Sequence, residues 1–285
     1  MSVITISRGC YSHGKEIAER VAAVLGYELV SKEILLEASQ AFEIPEKKLT
    51  ASIHDAPGIL EKIIHSHERQ HYLDCIRSAL LEHARNDNLV YHGMAGHLFL
   101  SGIRHVLKVR VIAEMEDRVA LVCRKRGIPR EEATALIASE DRQREEWYRS
   151  VYKKDMSDPR LYDMVLSIGH LTLEDASQLI CAASKKESFK ATDQSREYLG
   201  DLALAGHVRT ALADLCEADV AVSGGIVTIE VRGKKLRGTD FTRPGMQQRV
   251  QTHMQEELQQ EITALVSTIP GVKDLICKIE LPYYA

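Results

Sequence analysis

Val3-Ile4-Thr5-Ile6-Ser7 is a short β-branched run, which predicts a buried first strand. A turn segment from Arg8 to Gly14 follows. Ile17, Val21, Val24 and Leu25 then recur at helical spacing, with Gly26 as the stop. Residues 27–30 predict a second strand, and about 32–86 read as largely helical, broken near Pro45 and Pro57-Gly58. Leu89-Val90-Tyr91 is a short strand ending at Gly93, and 106–112 is a further one. Residues 115–126 predict a helix closed by Gly127. Pro129-Arg130-Glu131-Glu132 opens the next helix, with proline where its missing N–H costs nothing. Residues 164–168 read as a strand, and 173–184 as a helix with Ala176, Ile180 and Ala183 on one face. Strands alternating with helices predict a parallel sheet covered on both sides.

Residues 185–195 are polar and lack an apolar period, and the pattern changes beyond them. Leu204, Val208, Ala211, Leu212 and Leu215 make one helical face. Residues 220–223, Gly224-Gly225 and 226–232 predict a hairpin, with Val227, Ile229 and Val231 alternating against Thr228, Glu230 and Arg232. Val250, Met254, Leu258, Ile262 and Val266 make a second helical face, broken by Pro270-Gly271. Leu275, Cys277, Ile279 and Leu281 alternate as a last strand. The expected organisation is an α/β domain over 1–185, a linker over 186–200 and a small α+β domain over 201–285.

Composition fits that division. The 285 residues are 45% hydrophobic and 27% charged, enough for a sizeable core. A net charge of −4 gives no electrostatic footprint for nucleic acid, so no nucleic-acid partner is expected. The six cysteines form no C-x-x-C pair, which argues for reduced thiols in the cytosol. No apolar run approaches the roughly 18 residues of a membrane span, and no basic-then-apolar secretory signal opens the chain. The expected localisation is cytoplasmic.

Gly9-Cys10-Tyr11-Ser12-His13-Gly14-Lys15 fits G-x-x-x-x-G-K. Glycines let successive N–H groups converge on one anion, the following helix adds its positive end, and the lysine reaches phosphate oxygens. Placement between a β-branched strand and an amphipathic helix supports this more than spacing does. The alternative is a glycine-bearing turn without a ligand. Glu16 stands where the motif has Ser or Thr. It either serves Mg²⁺, with a water between, or leaves the metal to the phosphates and a different acid, the arrangement we favour. As a plain acid in a first helical turn it is also favourable.

Here the chain resembles the cytidylate-kinase-like family. Ile4-Thr5-Ile6-Ser7-Arg8 and Lys15-Glu16-Ile17-Ala18-Glu19 look like its opening, including the Glu after the basic residue. Leu25-Gly26-Tyr27, Lys32-Glu33-Ile34, Met115-Glu116-Asp117-Arg118-Val119, and Gly127-Ile128 with Glu131-Glu132-Ala133 continue the likeness. Asp141-Arg142-Gln143-Arg144 with Trp147-Tyr148 resembles its lid. Asp158-Pro159 and Tyr162-Asp163-Met164-Val165 resemble its last strand. The likeness covers residues 1 to about 185. It implies a P-loop kinase fold with a mobile lid, and phosphoryl transfer from ATP, with Mg²⁺, to a nucleoside monophosphate such as CMP or dCMP. Gly9, Cys10, Tyr11, Ser12, His13, Gly14, Lys15 and Glu16 would bind ATP. Lys15, Arg142 and Arg144 would be catalytic, with help from Arg118, and Asp163 matches a position that contacts the substrate sugar.

Two departures bear on that expectation. Tyr11 and His13 stand where the family loop is richer in glycine, and Gly93-Met94-Ala95 stands where cytidylate kinases have Gly-Arg-Asp. The alternative function is therefore a non-catalytic nucleotide sensor. His92 and His97 flank the 93–96 run and are candidates for substrate contact. Cys10 lies before a helix N-terminus, where a thiol pKa can fall, so it is a weak redox candidate. His65, His67 and His71 lack a zinc motif, and no metal site is expected among them. From about Ala203 the chain resembles a BON domain, through Ala211-Leu212, Gly225-Ile226-Val227 and Pro270-Gly271-Val272. That implies a partner protein, a small ligand or a membrane surface. The plainer reading is a packing module or one that forms a homodimer.

Overall fold

In the computed structural model, which describes residues 2–54, 66–232, 235–236, 244–280 and 283–284, β1 (Val3–Arg8) is the central strand. It pairs in parallel with β3 (Leu89–Tyr91) on one side and β4 (Val106–Ala113) on the other. β2 (Glu28–Val30) and β5 (Met164–Ile168) extend the sheet to the order β2-β3-β1-β4-β5, all parallel. Ile4 and Ile6 pack with Leu107, Val109 and Val111 against Ile17 and Val21 of α1 (Gly14–Leu25) and Ile180 of α8 (Leu173–Ser184). Side chains alternate across a strand, so Thr5 and Ser7 face the opposite layer. The chain leaves β1 towards β2 and later crosses to β4. That reversal puts the loop after β1 at the switch point where open parallel sheets bind ligands.

Helices α2 (Glu33–Ala41), α3 (Glu46–His54) and α4 (Ser66–Ala84) lie between β2 and β3 in the chain. Pro45 separates the first two as expected, whereas Pro57-Gly58 and His65 lie outside the described residues. A single turn, α5 (Gly96–Phe99), follows β3. α6 (Met115–Arg126) ends on Gly127 at φ 67°, a left-handed cap that suits glycine. α7 (Arg130–Tyr152) is continuous for 23 residues and contains every residue of the expected lid. Among the described residues, no helix is long and apolar enough to cross a membrane.

The chain divides into Met1–Arg196 and Glu197–Ala285. Within the stretch read as a linker, residues 187–189 form a 3-10 turn and α9 (Asp193–Leu212) begins. Reciprocal bonds start that helix without an apolar period: Thr192 N–H to Ser195 Oγ at 2.8 Å and Ser195 N–H to Thr192 Oγ1 at 3.1 Å.

In the second unit β6 (Ala218–Ser223) and β7 (Ile226–Val231) form the hairpin, and β9 (Asp274–Ile279) joins β7 in parallel. β8 (Lys235–Leu236) pairs with β10 (Tyr283–Tyr284). Val227, Ile229 and Val231 pack against Val208 and Leu212 of α9 and Ile262 and Val266 of α10 (Pro244–Val266). Only the C-terminal part of the predicted α10 stripe is buried, since Val250 and Met254 are exposed. The strands are about 20 Å long and the helix about 35 Å, so the helix overhangs its sheet.

The hairpin turn has Gly224 at φ 58° and Gly225 at φ 85°, a geometry that needs glycine. Both its N–H groups are taken by Asp201, at 2.9 and 3.2 Å. Asp201→Ala is expected to cost the second unit about 1.5 kcal/mol, from the loss of bonds to a charged acceptor. The thermal transition of that unit would fall by roughly 5–10 °C. An unchanged transition would show that the turn holds itself.

Candidate functional site

The loop from Gly9 to Gly14 joins β1 to α1. Gly9 N–H reaches Val111 O at 3.1 Å, and the buried Ser12 hydroxyl lies 3.0 Å from both Gly9 O and Val111 O. The loop is thus pinned to β4. Tyr11 (φ 56°) and His13 (φ 61°) take left-handed conformations that usually fall to glycine. The Tyr11 side chain turns towards the helices beyond the loop. Its hydroxyl donates to Glu140 Oε1 at 2.9 Å, and the Arg126 guanidinium lies 5.5 Å from its ring. A Cβ on Gly14 would stand 2.7 Å from Arg8 Cβ and Cδ, so glycine there is demanded by the arginine.

Arg8 ends β1 half-buried. Its Nε donates to His92 Nε2 at 2.9 Å, and its carbonyl accepts from Arg144 Nη1 at 2.9 Å. Burial, and then the neighbouring Arg144, lower the Arg8 pKa. Among the described residues, no carboxylate pairs with Arg8 or with Arg144. Burial, with Arg8, Arg144 and Lys15, holds His92 near pKa 4, so it is a neutral acceptor at pH 7.

Arg118 of α6 is buried. Its Nε donates to Cys10 O at 2.7 Å, and its Nη2 reaches both Asp141 oxygens, at 2.8 and 2.7 Å. Asp141 Oδ1 also accepts a long bond, 3.4 Å, from Cys10 N–H. Beside them lies a cleft of about 100 Å³ lined by Gly9, Arg110, Arg118, Asp141, Glu145 and Met156. Arg110 donates to Tyr162 Oη at 3.2 Å and to Met156 O.

Lys15 is 70% exposed and lies 3.6 Å from Glu19. Glu16 lies 2.7 Å from Lys125 Nζ. Burial pushes its carboxyl up, but Lys125, its own backbone contact and His13 together bring the pKa below the usual range. Arg142 is exposed on α7, whereas Arg144 faces the loop. Asp163 is not brought to the loop. It accepts from Lys108 N–H at 2.8 Å, and Lys108 pairs in register with Thr5, about 10 Å short of the end of β1.

His97 lies deeper. Its Nδ1 is 2.8 Å from Ser7 Oγ, its ring meets Tyr148 and Tyr162 at 5.7 and 4.6 Å, and burial lowers its pKa to about 3. In the 93–96 run, Ala95 N–H is taken by Tyr148 Oη at 3.0 Å. The expectation of an acidic thiol at Cys10 is corrected. Burial pushes it up to about 12; Arg144 opposes this, and the Asp141 and Glu140 carboxylates add to it. No group of three side chains suited to a metal occurs among the described residues. The side chain of His67 lies outside them, and His71 Nε2 sits 3.8 Å from Cys75 Sγ.

Sequence reasoning missed Arg8 and Arg110 as site residues. Arg8 carried a signal, because it adjoins the loop. Arg110 looked like any polar residue of an alternating strand.

The profile of the Cytidylate kinase-like family matches residues 3–170. A cytidylate kinase from Pyrobaculum aerophilum is 27% identical over 184 residues, which is 63% of this chain and 90% of that protein. A uronate isomerase from Corynebacterium glutamicum is 32% identical over 97 residues, 34% of this chain, and the match spans only 19% of that protein. The crystal structure of an uncharacterized protein from Eubacterium ventriosum aligns at TM-score 0.50 and 18% identity, over 66% of this chain and 100% of that one, a likeness of fold. The family match covers more than half of the residues, including the loop, α6, α7 and β5 described above, and the chain belongs to the cytidylate kinase-like family.

Proposed function

We propose that the first unit transfers a phosphoryl group from ATP to a nucleoside monophosphate of the CMP or dCMP kind. The second unit is proposed as a BON-like regulatory module. The observation that carries the kinase reading is the pair of guanidiniums, Arg8 and Arg144, at the mouth of the loop, neither paired with a carboxylate among the described residues. A half-buried positive charge without a counter-charge is costly, and a polyphosphate is the anion that a loop of N–H groups before a helix receives. Lys15 is within reach of such a ligand, since its exposed pair with Glu19 is worth at most about 1 kcal/mol. Arg144, Arg118 and the exposed Arg142 supply charge to the transferred group.

The residues present do not fit a protein-held Mg²⁺. The Ser12 hydroxyl is fully buried against the Gly9 and Val111 carbonyls, and Glu16 is paired with Lys125. The metal is therefore assigned to the nucleotide as MgATP, and no step is derived through it. The sensor reading is favoured by one observation: the 93–96 run offers no arginine to an acceptor phosphate, and Tyr148 closes one of its N–H groups.

Phosphoryl transfer from ATP across the ribo- and deoxyribonucleoside monophosphates tests the enzyme, with CMP and dCMP expected to react best. No transfer with ATP still bound would favour the sensor. Lys15→Ala is expected to weaken ATP binding about ten- to a hundredfold, from a charge-assisted bond of about 1.5–3 kcal/mol. Unchanged affinity in a folded variant would sink the phosphate-loop reading.

A further inference from the structure

Three side chains of α7 lie along one face and all reach the loop. Glu140 accepts from the Tyr11 hydroxyl, Asp141 from Cys10 N–H, and Arg144 donates to the Arg8 carbonyl. Asp141 differs from the other two because it brings a negative charge to a backbone N–H of the loop, that of Cys10 at 3.4 Å, which an incoming phosphate needs. It also holds Arg118, the guanidinium nearest the loop carbonyl, by two bonds under 3 Å. The same Asp141 walls the adjoining cleft, whose volume of about 100 Å³ is well below the roughly 300–1,000 Å³ of ordinary small-molecule sites.

We propose that Asp141 is a built-in competitor for the phosphate site. Its carboxylate imitates a phosphate oxygen against Cys10 N–H and Arg118, and so holds α7 down on the loop. Nucleotide must displace it before the site is wide enough to fill. This rests on the reading of the loop as a phosphate site, and it assigns that site a self-inhibited form. The displacement releases Arg118 to the incoming phosphate, so one anion replaces another on the same donors.

The competing role for Asp141 is to position Arg118 for substrate, and the two roles predict opposite signs. If Asp141 competes, removing its charge frees the donors and tightens binding. If Asp141 positions, removing it loosens Arg118 and weakens binding.

The test is titration of the full chain with ATP, and with inorganic pyrophosphate as a probe lacking base and sugar. Wild type is compared with Asp141→Asn, which keeps the shape, and with Asp141→Ala as a second variant should the first fail to fold. A folded variant is expected to bind both ligands on the order of tenfold tighter than wild type, the size of one lost charge-assisted contact. Equal or weaker binding by the variants, with wild type binding ATP normally, overturns the competitor and leaves the phosphate loop standing. Failure of wild type itself to bind either ligand overturns both readings.

Discussion

Arg144→Ala is expected to lower the rate of phosphoryl transfer by about a hundred- to a thousandfold, with ATP affinity held within about fivefold. The guanidinium is fixed by its bond to the Arg8 carbonyl and has no carboxylate partner among the described residues, so its charge is available where negative charge develops. An interaction stronger in the transition state than in the ground state appears in the rate. Single-turnover transfer beside an ATP titration separates the two. Equal losses in rate and affinity would assign Arg144 to ground-state binding instead. An Arg144→Lys variant should recover only part of the rate, because an ammonium is a point charge where the guanidinium is a fork.

Trp147→Ala is expected to destabilise the first unit by about 3–5 kcal/mol. Trp147 is 1% exposed and meets Tyr148 and Tyr152 edge-on at 5.0 and 5.6 Å. Its Nε1 donates at 2.8 Å to the carbonyl of Ser52 in α3, a residue that is itself buried. The substitution therefore opens a cavity and leaves a buried carbonyl without its donor. Urea unfolding followed by circular dichroism reads the loss. A shift below about 1 kcal/mol would mean that α7 is held at its other contacts and not at this foot. Trp147→Phe should lie between the two, keeping ring contacts without the hydrogen bond.

Most of the sheet was legible because its strands are short β-branched runs, apolar throughout or alternating. Val3-Ile4-Thr5-Ile6 and the run from Val106 each admit one period, and Gly26 and Gly127 mark helix ends by a backbone conformation few other residues adopt. The start of α9 was not legible, because a Thr192–Ser195 cap sets it and no apolar stripe announces it. The helix and apolar face of α10 were legible, but how much of that face is covered was not: periodicity records which face is apolar, and the length of the sheet decides how much of it is covered. At the site, the loop and its glycines were readable from spacing, whereas the partners were not. The pairing of Asp141 with Arg118 and the approach of Arg144 to Arg8 join residues far apart in the chain. Cys10 shows the limit of local reasoning, since a helix N-terminus predicts an acidic thiol and burial reverses the sign.

The central place of β1 has a consequence for how the chain is made. β1 is synthesised before both of the strands that flank it in the middle of the sheet, and Val3 has neither neighbour until Leu89 and Val106 arrive. At about 5–20 residues per second, the second of these emerges on the order of 5–20 s later. Until then Val3, Ile4 and Ile6 belong to a β-branched strand with both edges open, the kind of segment that pairs wrongly between chains. Assembly of the phosphate loop cannot precede that closure, because the loop is pinned through Gly9 and Ser12 to Val111 of β4.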